Sequence, residues 1–129
     1  MRLKGKTAII TGAATGIQGS IMGFGGASAW QFLKEGARVV ITDINVESGV
    51  RTATQMQEAG FDAAFMEHDV TVSSDWERIL NATFELFGTL EFCNLGCAER
   101  AHCCNHIAGL NGFAIGCGDV PQTSLLVEY

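Results

Sequence analysis

The chain has 129 residues, 47% of them hydrophobic, and its formal net charge of −6 goes with a pI near 4.9. This length allows one domain with a real core, and an acidic chain without a basic patch argues against nucleic-acid binding. The apolar run after the basic N-terminus is too short for a signal peptide, and no stretch approaches a membrane span, so we expect a cytoplasmic protein without a membrane partner.

The first predicted element is a buried strand over residues 7–11. Its apolar residues 8–10 lead directly into a turn that carries Gly12 and Gly16. Glycines in such a turn let the backbone approach a pyrophosphate, and the helix that follows presents free N–H groups and the positive end of its dipole. The sequence therefore predicts a dinucleotide-binding βαβ unit.

The next elements repeat the strand and helix alternation. The first helix is expected to end at Gly36, and residues 38–43 form a second buried strand with Asp43 at its carboxyl end. Asn45 can cap a second helix that runs to about residue 59 and stops at Gly60.

A third strand is predicted over residues 61–68, followed by Asp69 and Val70. Residues 74–77 have the form of a capping box, and the helix behind it has an apolar face at helical spacing, consisting of Trp76, Ile79, Leu80, Thr83, Phe84 and Phe87. Gly88 ends this helix, and residues 90–93 form a fourth strand. The alternation predicts an α/β fold, a truncated Rossmann-like parallel sheet with helices on both faces.

The pattern fades after about residue 99. Residues 101–110 suggest a short helix and residues 113–115 a strand. All five cysteines lie in the last third of the chain, at positions 93, 97, 103, 104 and 117. An odd number of cysteines with no secretory signal argues against a disulfide framework, and without a Cys-x-x-Cys pair we predict no metal site. We interpret residues 1–129 as a single domain, with a dinucleotide-binding half over 1–92 and an atypical cysteine-rich tail over 93–129.

In order along the chain, several of these features resemble the short-chain dehydrogenase/reductase family over roughly residues 3–92. The matching features are the glycine turn at 11–17, Gly36-Ala37, Asp43, Asp69-Val70 and the segment 87–91. The resemblance implies an oxidoreductase that transfers a hydride between a nicotinamide and an alcohol or carbonyl carbon.

The resemblance also implies the cofactor-binding residues. The pyrophosphate would lie along the glycine turn, Asp43 would take the adenosine ribose hydroxyls with Ile44 beside it, and Asp69 and Val70 would border the adenine; the turn residues concerned are Gly12, Ala14, Thr15, Gly16 and Ile17. Because a carboxylate at position 43 repels a 2′-phosphate, NAD is favoured over NADP.

The glycine turn departs from the family pattern by an insertion of seven residues, 18–24, after which the pattern resumes at Gly25. Gly25 lies 18 residues before Asp43, close to the expected spacing of about 20. We expect the insertion to form a bulged loop, since a helix through it would contain several glycines. In the alternative, Gly19 serves as the third glycine.

The family's catalytic Tyr-x-x-x-Lys does not occur in this sequence, where the only tyrosine is Tyr129 and the lysines are Lys4, Lys6 and Lys34. No catalytic residue is therefore predicted. Three hypotheses remain: an NAD-binding protein derived from an oxidoreductase, a non-catalytic truncated module that binds a nucleotide or a partner protein, and a chain altered by splicing or a frame change. We also expect an open sheet edge at strand four, which favours a homo-oligomer or a partner chain.

Overall fold

The computed structural model describes residues 1–95 and 114–117, which form an α/β fold. The elements in chain order are β1 (Thr7–Thr11), α1 (Phe24–Lys34), β2 (Arg38–Asp43), α2 (Val46–Glu58), β3 (Ala63–Glu67), α3 (Ser73–Phe87), β4 (Phe92–Leu95) and β5 (Ala114–Cys117).

All the described strands run parallel in one sheet of order β3-β2-β1-β4-β5. In the register, Ile9 of β1 lies beside Val40 of β2 on one side and beside Cys93 of β4 on the other. Parallel strands end at the same edge, so the loops that follow β1, β2 and β3 meet there. β2 and β3 lie on one side of β1, and β4 and β5 lie on the other. The direction of the strand order therefore reverses at β1, and a crevice is expected beside the loop that follows this strand.

Neighbouring residues of β1 and β2 face opposite apolar layers. Ile10, Val39 and Ile41 pack with residues of α1 and α2, including Trp30 and Met56. On the other face, a second cluster packs α3 against the sheet through Ile9, Val40, Trp76, Ile79 and Leu90. Burial on both faces explains the continuous apolar runs of these strands and confirms the predicted sheet with helices on both sides.

The bounds of β1 and β2 match the prediction, whereas the later strands differ from it. β3 is shorter than the predicted 61–68, because Phe61 still donates its N–H to Met56 O at the exit of α2 and His68 bonds to Asp43 O beyond the strand end. β4 begins at Phe92 rather than at residue 90. Leu90 lies instead in the cluster under α3.

The capping box predicted for α3 is wrong. The helix begins at Ser73 after an N-cap at Val72, with no side-chain cap. Asp75, the acid of its first turn, accepts the backbone N–H of Asp69 at 2.9 Å instead. Phe84, predicted on the apolar face, is 41% exposed, whereas Trp76 and Ile79 are buried as predicted.

The prediction of an open edge at strand four is also wrong, because β5 pairs with β4 in parallel, with Cys93 beside Ile115. β5 overlaps the strand predicted at 113–115. Within the described ranges the outer strands are therefore β3 and β5. The helix predicted over 101–110 and the cysteines at 97, 103 and 104 lie outside the described residues. Among the helices that are described, none has the length and apolar character needed to cross a membrane.

Candidate functional site at the carboxyl edge of the sheet

The loop after β1 is held against the end of β2 by backbone contacts. Gly12 has a φ of +65°, a region that glycine enters without steric cost. The next residues then bond to β2: Ala13 N donates to Thr42 O at 3.2 Å, and Ala14 N donates to Asp43 Oδ2 at 3.1 Å. The predicted glycine turn and the predicted acid are thus brought together.

Gly25 packs against this loop more closely than any other residue type could. A Cβ at Gly25 would lie 2.6 Å from Gly12 O and 3.0 Å from Thr11 O. Gly26 is equally confined, since its Cβ would lie 2.4 Å from Gly16 Cα. A Cβ at Gly19, the alternative third glycine, would meet no atom within 4 Å. Close packing of helix on strand is the role of the third glycine in dinucleotide-binding turns, and here Gly25 has that geometry.

The insertion forms a bulged loop, as expected, and α1 begins only at Phe24. The base of the loop is closed by Gly23, whose N–H contacts both the carbonyl oxygen and the Oγ1 of Thr15, at 3.2 and 3.1 Å. The tip is open to solvent, with Ile21 96% exposed. Because the N-cap is Gly23, no side chain caps the N–H groups of the first turn of α1. A helix start of this kind can bind an anion.

Asp43 is partly buried at the end of β2 and already accepts two backbone N–H groups. Its Oδ2 bonds to Ala14 N, and its Oδ1 accepts from Asn45 N at 3.0 Å. Each carboxylate oxygen can accept a second hydrogen bond, so the side chain keeps capacity for hydroxyl donors. Ile44, the next residue, is 70% exposed beside it.

Asp69 and Val70 follow β3 at the same edge of the sheet. The Asp69 carboxylate accepts the hydroxyl of Thr71 at 2.6 Å and its N–H at 3.0 Å. These bonds favour the ionised form and hold the pKa of the Asp69 carboxyl below its usual value. Val70 O accepts the indole N–H of Trp76 at 3.0 Å, which fixes this segment to α3.

Sequence reasoning missed two buried side-chain donors that bond to carbonyl oxygens of the glycine loop from the interior side. Thr52 of α2 donates its hydroxyl to Ala14 O at 2.7 Å, and Trp30 of α1 donates its indole N–H to Gly16 O. The signal for Thr52 was present in the sequence, since it shares the buried face of α2 with Gly49, Ala53 and Met56 at helical spacing. A hydroxyl on such a face needs a partner.

Across the described residues, no group of three or more histidine, cysteine and acidic side chains is placed to hold a metal ion. The cysteines at 97, 103 and 104 and the histidines at 102 and 106 lie outside those residues.

Comparison with known proteins identifies relatives for most of the described part. The family model for short chain dehydrogenase matches residues 6–96. Over 89 residues the chain is 42% identical to 2,5-dichloro-2,5-cyclohexadiene-1,4-diol dehydrogenase LinX of Sphingobium indicum, covering 69% of this chain and 33% of that protein. It is 39% identical over 88 residues to the NADP-dependent (R)-specific alcohol dehydrogenase of Lentilactobacillus kefiri, covering 67% of this chain and 31% of that protein.

Solved structures give the same result. A short chain dehydrogenase/reductase from Burkholderia phymatum in complex with NAD matches with a TM-score of 0.65 and 26% identity, over 73% of this chain and 31% of that one. A hydroxysteroid dehydrogenase from Escherichia coli matches with a TM-score of 0.64 and 29% identity, over 72% of this chain and 35% of that one. The chain spans about a third of the length of these relatives.

Proposed function

This chain belongs to the short-chain dehydrogenase family, and we propose that residues 1–95 form the NAD-binding half of an oxidoreductase. The observation that carries this proposal is the close packing of Gly25 on Gly12. Because neither glycine has a side chain, this packing leaves backbone exposed at the carboxyl edge of the sheet, next to a helix start without a side-chain cap. The insertion lengthens the loop but leaves this packing in place.

In this proposal the pyrophosphate lies along the loop formed by Gly12, Ala14, Thr15, Gly16 and Ile17, and against the first turn of α1. The side chains of Gly12, Ala14 and Gly16 are small or absent, so the backbone can approach the phosphates there, and the helix dipole favours a negative charge. Thr52 and Trp30 position the loop from the buried side by bonding to its carbonyl oxygens.

Asp43 is proposed to bind the ribose hydroxyls, with Ile44 beside it and with Asp69 and Val70 bordering the adenine. The Asp43 carboxylate supports NAD over NADP, because a 2′-phosphate would meet a like charge. Arg38 could not offset that charge, since it lies at the other end of β2 and donates to Gly5 O and Thr89 Oγ1. The cofactors named for relatives include NADP as well as NAD, so this preference is the part that needs testing.

A bound nicotinamide would supply hydride transfer to or from an alcohol or carbonyl carbon. For the residues of this chain we propose binding and orientation of the dinucleotide and no catalytic step, because the sequence contains no Tyr-x-x-x-Lys. The alternative, a non-catalytic module that binds a nucleotide or a protein, shares the same site and differs only in whether a catalytic tyrosine is supplied from elsewhere.

Calorimetric titration of NAD and NADP tests the proposal, with Asp43→Asn as the variant. Asparagine keeps the shape and one acceptor oxygen, but it removes the charge and places an NH2 group where one of two backbone N–H groups is accepted. Since a hydrogen bond to a charged group contributes about 1.5–3 kcal/mol, NAD affinity is expected to fall about tenfold or more in the variant. NADP affinity is expected to change less, so that the preference for NAD narrows.

Asp62→Asn is the matched control, because Asp62 is an exposed acid just before β3, at the opposite edge of the sheet. It is expected to bind both dinucleotides as the unchanged protein does. Lack of saturable NAD binding by the unchanged protein would overturn the proposal. Equal NAD and NADP affinity would overturn the role given to Asp43.

We further propose that a partner chain, in the simplest case a second copy, joins the sheet at one of the outer strands of its described part, β3 or β5. Parallel strands leave backbone donors and acceptors unpaired along an outer edge, which favours pairing with another chain. Light scattering is expected to give the mass of a dimer, and a monodisperse monomer would contradict this expectation.

A further inference from the structure

His68 is the buried titratable side chain that the proposed site does not use. It is 1% exposed and lies between β3 and α3, next to Asp69 and Val70. Its Nδ1 is 3.0 Å from Thr42 Oγ1, and its backbone N–H donates to Asp43 O at 3.0 Å. The imidazole and the Trp76 ring pack nearly perpendicular to each other, with the ring centroids 4.3 Å apart.

The other ring nitrogen, Nε2, is buried and has no hydrogen-bond partner among the residues that the structure describes. A neutral imidazole carries one N–H, and when that proton is on Nδ1 it is donated to Thr42 Oγ1 while Nε2 stays a bare acceptor. A protonated imidazole carries a positive charge and two N–H donors, and within the described ranges the N–H on Nε2 would have no acceptor. The surroundings of His68 therefore accommodate only the neutral ring.

The segment that His68 begins is tied to two elements. On one side His68 bonds to Thr42 and Asp43 at the end of β2. On the other side Asp69 N donates to Asp75 Oδ2 and Val70 O accepts from Trp76, both in α3. A change at His68 therefore reaches both the ribose end and the adenine end of the proposed site.

We propose that neutral His68 is a positioning residue that holds Asp69 and Val70 beside β2, and that its protonation in mildly acidic solution weakens dinucleotide binding. This inference rests on the proposed function, because it assigns a regulation to the same site. The charge would lie beside Trp76 in the interior. The ring can be hydrated only if α3 or the 68–70 segment moves away from the sheet.

The charged groups around the ring do not remove this penalty. Burial lowers the pKa of His68 and is the largest influence; Asp75 of α3 and Asp69 of its own segment raise the pKa, and Arg78 of α3 lowers it. The layer beneath is apolar, consisting of Ile9, Val40, Ile79 and Leu90 around Trp76. The Asp43 carboxylate of β2 is engaged with the glycine loop.

The direction of the pH effect follows from this lowered pKa. The unfolded chain takes up a proton at His68 near pH 6.5, where the folded chain does not. The stabilisation from a neutral His68 is therefore complete above that pH and is lost as the pH falls below it, down to the lower pKa of the folded state. With one proton involved, the folding equilibrium constant decreases by at most about tenfold per pH unit.

The experiment compares the unchanged protein with His68→Gln between pH 5 and pH 8, by urea unfolding and by NAD titration. Glutamine can still bond to Thr42 but does not titrate. The histidines at 102 and 106 are present in both proteins, so the difference between them reports on His68. The unchanged protein is expected to lose stability as the pH falls below 6.5, and to lose NAD affinity only at the lower pH where folded His68 takes up its proton. His68→Gln is expected to have flatter profiles in both.

An NMR titration of the His68 ring in the unchanged protein keeps the proposal testable if His68→Gln does not fold. A midpoint below about 6.5 supports the buried neutral ring, and a midpoint at or above it overturns the proposal. NAD affinity that stays the same across the measured midpoint of His68 overturns the positioning role. If NAD does not bind at pH 8, the proposed function fails, while the ring titration and the unfolding profiles still decide the state of His68.

Discussion

Thr52→Val tests whether α2 holds the glycine loop from behind. Thr52 is fully buried and donates its hydroxyl at 2.7 Å to Ala14 O, in a residue that is itself 2% exposed. Valine has nearly the same shape, so the change makes no cavity. It removes the donor and leaves the Ala14 carbonyl without it, at a cost of about 1–3 kcal/mol in the free energy of unfolding.

Thr54→Val is the matched control on the same helix. Thr54 is exposed, and its hydroxyl bonds to Val50 O within the helix, at 2.8 Å. Water can replace that bond, so the free energy of unfolding is expected to change by less than about 0.5 kcal/mol. Urea unfolding followed by circular dichroism measures both variants, with an unchanged m-value showing that only stability has changed.

The role of Thr52 would be refuted if Thr52→Val were as stable as Thr54→Val. A related expectation concerns the ligand: Thr52→Val should weaken NAD binding, because the loop is less firmly placed, whereas Thr54→Val should not. Loss of stability without any effect on NAD affinity would show that the Thr52 hydroxyl supports the fold and not the proposed phosphate site.

Three further predictions concern single substitutions outside α2. Gly25→Ala places a Cβ 2.6 Å from Gly12 O. The overpacking costs about 1–3 kcal/mol and exceeds the gain in helix propensity of up to about 1 kcal/mol, so the melting temperature should fall. An unchanged or higher melting temperature would contradict the close packing. Thr71→Val removes a hydroxyl bond to Asp69, so an NMR titration should find the pKa of the Asp69 carboxyl raised towards its usual value. The variant therefore loses part of the stabilisation that this carboxylate gives above about pH 3.8 and that is lost in acid. An unchanged midpoint would disprove the assigned cause. Gly88→Ala meets no atom within 4 Å but has a φ of +76°, so strain alone should cost about 1–2 kcal/mol in urea unfolding, and full stability would count against the left-handed helix end.

The parts of the fold that could be predicted from the sequence depend on local patterns. β1 and β2 are buried on both faces, so their apolar runs are continuous and their bounds agree with the prediction. The spacing from Gly25 to Asp43 similarly indicates which glycine resumes the turn, and the structure places Gly25 against Gly12.

The parts that could not be predicted depend on contacts distant in sequence. The segment 74–77 suggests a capping box, but the helix begins at Ser73 with its N-cap at Val72, so Ser74 lies inside the first turn and the box does not form. β5 overlaps the strand predicted at 113–115, but its pairing with β4 joins segments about 20 residues apart and was not predicted. The partner of Thr52 is 38 residues away, at Ala14, so a helical pattern alone could not supply it.

Backbone NMR of the labelled chain during an NAD titration tests the proposed dinucleotide site most directly. We expect the amide signals of Gly12, Gly16, Gly25 and Asp43 to shift in a saturable way, because these residues meet at the carboxyl edge of the sheet. The amides of Gly60 and Gly88, before β3 and β4 at the opposite edge, should not move. Shifts at that opposite edge, or none at the glycine loop, would contradict the proposed site.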